Sequence, residues 1–143
     1  LLTPNHFELE QLTDIRVSDL DSLRLAIGFL HSKGPRLICM TSARLADTPE
    51  QAIDMVLSAG GEMWRLRLPK LPLSPNGAGD VVAGLILYHF LKKQSSQHIL
   101  EKTGAAVFAL LMTMLRLRTG ELPLIAAQDE MLAPERVFVA ERL

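Results

Sequence analysis

Asp80 has the clearest chemical potential of any residue in this sequence, because it follows a run of small residues, Gly77, Ala78 and Gly79, that leads into an apolar helix-forming segment. The backbone N–H groups that open a helix have no intrahelical partner, and the lack of bulky side chains lets an anion approach them. Such a place can hold a phosphate. A carboxylate in the same turn would repel a resting anion, so its chemistry there is that of a base: Asp80 would take the proton from a hydroxyl that attacks phosphorus. The same residues also make an ordinary capped helix start, an Asn76-Gly77 turn followed by an acidic first turn. Residue types and spacing leave both readings open.

Two further polar pairs stand where sites are built. Asn5 and Glu8 have capping-box spacing, and Thr41 and Ser42 close a short apolar run. The C-terminal end of such a strand is where open α/β sheets place ligands. Their structural alternatives are a helix cap and a strand-to-loop turn. His6, His31, His89 and His98 lack paired metal-ligand spacing and read as structural residues. Cys39, the only cysteine, lies among Leu37, Ile38 and Met40 and reads as a buried, inert thiol.

Elements to position these residues follow from the hydrophobic pattern. A short helix is expected from the Asn5 cap to Leu12. A second is opened by Ser18 and Asp21, carries Leu20, Leu23, Ile27 and Leu30 at helical intervals, and stops at Gly34 and Pro35. The continuous apolar run 37–40 predicts a strand buried on both faces, as in a parallel sheet. Runs 53–57 and 63–68 flank a glycine turn and predict an antiparallel hairpin at the sheet edge. Arg65, Arg67 and Lys70 would form its wet face, and Trp64 would pack on the sheet. Pro69, Pro72 and Pro75 force an irregular connection into the glycine loop. Helices are then expected over 78–93 and 97–118, the second closed by Gly120, with a helical turn at 128–132 and a last strand at 136–140.

With 48% hydrophobic and 22% charged residues, the 143-residue chain has the composition of one globular core. A formal net charge of −1 and the absence of a basic stripe with interleaved aromatics argue against a nucleic-acid binder. The longest apolar stretch, 105–115, is shorter than the roughly 20 residues a membrane helix needs and reads as a buried helix. No secretory leader is recognisable, which with the lone cysteine suggests a cytoplasmic protein. The first residues, two leucines and no methionine, read as the end of a strand whose upstream sequence is missing.

Several segments taken together resemble the pyridoxal kinases of the ribokinase superfamily. They are Thr3 through Glu8 (Thr-Pro-Asn-His-Phe-Glu), Met40, Thr41 and Ser42, Asn76 through Asp80 (Asn-Gly-Ala-Gly-Asp), and Ala126 through Glu130 (Ala-Ala-Gln-Asp-Glu), followed by Pro134 and Glu135. The glycine-loop element alone indicates the superfamily; the opening segment and the tail narrow it to this branch. The likeness runs along nearly the whole chain and implies the C-terminal half of one ribokinase-like domain, 1–143, with the N-terminal half absent. The implied architecture is three-layer α/β/α, with a parallel-centred sheet and an antiparallel hairpin edge.

By the same resemblance, Asp80 is the catalytic base that deprotonates the 5'-hydroxymethyl group of pyridoxal for in-line attack on the γ-phosphate of ATP. Gly77, Ala78 and Gly79 form the anion hole, with Ala78 a departure from the threonine often found there. Asn5, Thr41, Ser42, Gly77 and Gly79 contact the nucleotide, and Glu8 serves Mg²⁺ directly or through water. K⁺ or Na⁺ is a candidate monovalent cation. Asp14 stands where the family usually has a helix-ending glycine. The implied whole is a cytoplasmic homodimer acting on pyridoxal and ATP, with no nucleic-acid or membrane partner. The alternatives are a related hydroxymethylpyrimidine-type vitamin kinase and a truncated, non-catalytic nucleotide-binding remnant.

Overall fold

The computed structural model describes residues 1–73 and 75–143; Ser74, in the expected irregular connection, lies outside them. Helix α1 (His6–Thr13) starts at the predicted capping box, with the Asn5 side chain accepting from the Glu8 N–H and the Glu8 carboxylate accepting from the Asn5 N–H. It ends at Asp14, which adopts the left-handed conformation (φ 54°). A side chain there costs free energy that glycine avoids. Asp14→Gly is therefore expected to stabilise the fold by roughly 0.5–1 kcal/mol, read as a raised midpoint in thermal unfolding.

Helix α2 (Leu20–Ser32) begins one residue later than its predicted box. Asp19, not Ser18, is the N-cap, and the partner is Ser22 rather than Asp21, because the Asp19 carboxylate accepts from the Ser22 N–H at 2.9 Å. The Ser18 hydroxyl donates to that carboxylate at 3.0 Å.

Strands β1 (Leu37–Ala43), β2 (Ala52–Ala59), β3 (Glu62–Pro69) and β4 (Glu141–Arg142) form a sheet in the order β1-β2-β3-β4, and every neighbouring pair is antiparallel. This differs from the parallel-centred sheet expected. Short connections, residues 44–51 and the Gly60-Gly61 turn at positive φ, can join only antiparallel neighbours. Among the described residues, parallel pairing is confined to two bridges that set the N-terminal segment beside β1, Leu2 with Ile38 and Asn5 with Thr41. β1 is buried on both faces, as its apolar run predicts. Ile38 and Met40 pack with α1 and α2 on one side, while Leu37 and Cys39 join Leu57, Leu66 and Leu68 on the other.

That second face is covered by α3 (Ala78–Leu91) and the 22-residue α4 (Ser96–Leu117). α4 is long and apolar enough to cross a membrane by length and composition, yet 61% of that stretch is buried within the protein. It stops at Arg118, which takes the left-handed conformation (φ 52°) expected of Gly120. Gly104 is where α4 crosses β3: a Cβ there would lie 2.2 Å from Leu66 Cδ2, and Leu66 is fully buried. Gly104→Ala gains helix propensity but overpacks the core. A net loss of about 1 kcal/mol is expected, and an unchanged thermal midpoint would show that Leu66 moves aside freely.

The helical turn α5 (Gln128–Leu132) forms as predicted. The last strand does not: residues 136–140 lie outside the ladder, and β4 comprises only the two residues after them. Alternation survives without pairing. Phe138 meets Phe108 edge-on at 5.1 Å and Ala140 is buried, whereas Val137 and Val139 are exposed. The Ala140 N–H is taken by the Glu101 carboxylate at 2.9 Å, which replaces a ladder bond.

The wet face expected of Arg65, Arg67 and Lys70 is one only in part: Lys70 is exposed and Arg67 partly so, but both arginines are held in ion pairs. Arg65 is buried and paired with Asp47 and Glu141, and Arg67 binds the fully buried Asp54. The carboxylates come from the loop after β1, from β2 and from β4, none of which the alternation of β3 alone could reveal.

Candidate functional site

Two groups of predicted residues are each assembled locally. The first lies at the C-terminal end of β1. The Thr41 N–H donates to the Pro4 carbonyl at 2.8 Å, and Asn5 bridges Thr41, so Asn5, Glu8, Thr41 and Ser42 are gathered at one end of the sheet. The pairing register shifts between Met40 and Ala43, and Ser42 has φ 55°. A bulge that puts a non-glycine residue in the left-handed region redirects the strand end, and such strain persists only where neighbours enforce it. Asn5 and Glu8 satisfy the capping box, at 2.9 and 2.8 Å, with one Glu8 oxygen outside it.

The second group is the start of α3. Gly77 is its N-cap at φ 83°, a conformation that needs glycine, and among the described residues no side chain caps the helix. The first helical contacts are the Asp80 and Val81 N–H groups to the Gly77 carbonyl, at 3.1 and 3.2 Å. The Ala78 and Gly79 amides therefore precede the hydrogen-bonded ladder, as an anion site requires. Among the described residues a Cβ at Gly79 would meet nothing within 4 Å. Asp80 is exposed in the first turn, and among the described residues its carboxylate enters no side-chain hydrogen bond or ion pair. No hydrogen bond among the described residues joins this group to the strand-end group.

Sequence reasoning missed a cavity of about 130 Å³ with an apolar floor of Ile53 and Leu68 and a wall of Val107, Phe108 and Leu111. Arg44, two residues beyond Ser42, and the segment Pro69, Lys70, Leu71 and Leu73, on the approach to the glycine loop, complete it. The apolar periodicity of α4 marks Val107 and Phe108 as core without showing that one side of them borders a cleft.

Three buried or partly buried titratable groups have structural partners or surroundings. Burial pushes the Cys39 thiol up to about 12, so it stays protonated and unreactive. His31 contacts the Pro35 carbonyl and the Ser58 hydroxyl at 2.8 and 2.9 Å, and His89 contacts Gln94 at 2.6 Å. Among the described residues no cluster of three His, Cys, Asp or Glu side chains could cage a metal. Glu8 offers a single carboxylate oxygen outside its capping box, a donor set that would suit only an ion keeping most of its waters.

The profile of the phosphomethylpyrimidine kinase family matches residues 1–124. A pyridoxal kinase of Granulibacter bethesdensis is 39% identical over 145 residues, covering 99% of this chain and 51% of the relative. A pyridoxal kinase of Deinococcus radiodurans is 40% identical over 149 residues, covering 100% of this chain and 50% of the relative. The chain thus spans about half the length of the curated relatives it matches. Among solved structures, pyridoxal kinase from Leishmania donovani in complex with ADP and ginkgotoxin superposes with TM-score 0.87 at 24% identity, covering 99% of this chain and 50% of that one. Plasmodium falciparum PdxK with AMP-PNP and PL superposes with TM-score 0.83 at 21% identity, covering 99% and 49%. These likenesses establish a shared α/β fold. With its profile matched along most of the sequence, the chain belongs to the phosphomethylpyrimidine kinase family.

Proposed function

We propose that residues 1–143 are the C-terminal half of a ribokinase-like, three-layer pyridoxal kinase, and that they carry its ATP site and catalytic base. The observation that carries the reading is the start of α3: uncapped amides at Ala78 and Gly79 beside an exposed Asp80 with no partner among the described residues. The amides hold and stabilise charge on the transferring phosphoryl group. Asp80 accepts the proton of the substrate hydroxyl as it attacks. Ser42 and Thr41 contact the phosphates from the strand end, and the cavity beside Arg44 takes the base. Asn5 and Glu8 lie on the magnesium side, where the ion would neutralise phosphate charge. The antiparallel sheet described here would be one flank of a sheet whose parallel centre lies in the other half, starting from the bridges at Leu2 and Asn5. The reading includes a cytoplasmic homodimer, and K⁺ or Na⁺ as a candidate cation.

The test has two arms. Purified 1–143 is expected to bind MgADP but not to phosphorylate pyridoxal. The chain completed to the length of its relatives is expected to make pyridoxal 5'-phosphate from ATP. Robust turnover by 1–143 alone would overturn the half-site reading, and failure to bind nucleotide would overturn the ATP assignment. The family description favours one second reading, a hydroxymethylpyrimidine-type kinase, and offering that alcohol as competing acceptor separates the two. Gly79→Ala adds a methyl group that no described residue would meet within 4 Å. It should weaken MgADP binding by about tenfold, near 1.4 kcal/mol, while leaving the thermal midpoint unchanged or slightly raised. An unaltered affinity would move the phosphate away from the helix start.

A further inference from the structure

The loop that follows Ser42 is tied down by a carboxylate far too buried to meet a ligand. Asp54 is fully buried on β2, where it is the register partner of Ala43, just past the bulge. Its Oδ1 accepts from Arg67 Nε at 2.8 Å, and its Oδ2 accepts from Arg67 Nη2 at 2.9 Å and from the Thr48 hydroxyl at 2.8 Å. Since the Thr48 hydroxyl has one proton and gives it to Asp54, its lone pairs are free to accept, and one takes the Leu45 N–H at 3.0 Å. The Thr48 N–H closes the turn onto the Leu45 carbonyl at 2.9 Å. A continuous chain of bonds therefore runs from a fixed buried charge to Leu45, three residues beyond Ser42.

Ser42 needs such a constraint. A serine in the left-handed region is intrinsically disfavoured and persists only where both flanks are held. The Thr41 N–H is fixed on one flank by the Pro4 carbonyl. On the other flank, Ala43 stands in register with Asp54 and the Arg44 N–H donates to His6 Nδ1 at 3.2 Å, and the turn formed by residues 45–48 ties down the loop beyond them. We infer that Thr48 and Asp54 are positioning residues that hold the Ser42 bulge in the conformation that receives the nucleotide phosphates. The inference rests on the nucleotide-site reading of Ser42 given above.

The experiment is calorimetric titration of 1–143 with MgADP, with the thermal midpoint of each variant measured alongside. Thr48→Val removes the relay hydroxyl at nearly constant shape and is expected to raise the Kd about tenfold, the scale of one lost hydrogen bond to a charged group. Thr48→Ser restores the hydroxyl and should return the Kd to within about twofold of wild type. In a Ser42→Gly background, where the left-handed conformation carries no side-chain penalty, Thr48→Val should cost less than about threefold. Should Thr48→Val fail to fold, Thr48→Ala reads the same loss without an apolar branch against the carboxylate. A folded Thr48→Val chain with wild-type Kd would overturn the inference, as would equal weakening by valine and serine or an undiminished effect beside Ser42→Gly. Failure of the wild-type chain to bind MgADP would instead overturn the nucleotide-site reading, and this inference with it.

Discussion

Asp80→Asn in the complete protein is expected to lower kcat for pyridoxal phosphorylation by about 10²–10⁴-fold, the usual worth of a positioned general base, with little change in Kd for MgATP. The asymmetry follows from where Asp80 sits. It lies in the first turn of α3, exposed, and among the described residues its carboxylate bonds to no other side chain. Its structural contribution is limited to charge at a helix N-terminus, about 0.3–1 kcal/mol. Asparagine keeps the shape but cannot take a proton at neutral pH. It also removes a negative charge beside the proposed phosphate site, so nucleotide affinity should hold or rise slightly. Steady-state kinetics with a parallel nucleotide titration and a melting curve separate the outcomes. Parallel loss of turnover, nucleotide affinity and thermal midpoint would make Asp80 a structural cap, and undiminished kcat would place the base elsewhere.

What the sequence made legible was chemistry that acts over a few residues. The Asn5–Glu8 box, the Gly77 helix start and the double-sided burial of β1 are all set by local hydrogen bonding or by an unbroken apolar run, and each appears where spacing puts it. Failures begin where a distant residue decides. Arg65 and Arg67 alternate with leucines as solvent-facing residues would, but Asp47, Asp54 and Glu141, from three other segments, gather them into an ion-pair network that is buried at Arg65 and Asp54 and reaches solvent at its rim. Residues 136–140 alternate as a strand would, yet Glu101 on α4 takes the backbone N–H of Ala140. Asp19 displaced Ser18 as a helix cap through a one-residue competition between two good capping side chains. Within the site, residue types pointed to Asp80 and Ser42, but the bulge at Ser42 and the cavity floored by Ile53 and Leu68 depend on sheet register and helix packing.

Register is also what the second large effect measures. Asp54 and Arg67 face each other directly across β2 and β3, on the face where Val56 is core. A one-residue slip would turn the carboxylate to the opposite, apolar face. Asp54→Ala is expected to reduce the unfolding free energy by about 3 kcal/mol, at the lower end of the roughly 3–5 kcal/mol found when one partner of a buried pair is removed. The lower end applies because the charges left behind have other recourse. The Arg67 side chain is 37% exposed and can turn to water, and Arg65, at 9%, keeps Asp47 and Glu141. Those two acids are about half exposed, so solvent screens them and they compensate only in part. Urea unfolding should show a lower midpoint at unchanged m. Replacing both partners, Asp54→Leu with Arg67→Met, should recover most of the loss, because no buried charge is then left unpaired. An Asp54→Ala cost below about 1 kcal/mol would mean that the pair contributes little beyond its own desolvation and that hydrophobic packing alone holds the hairpin in register.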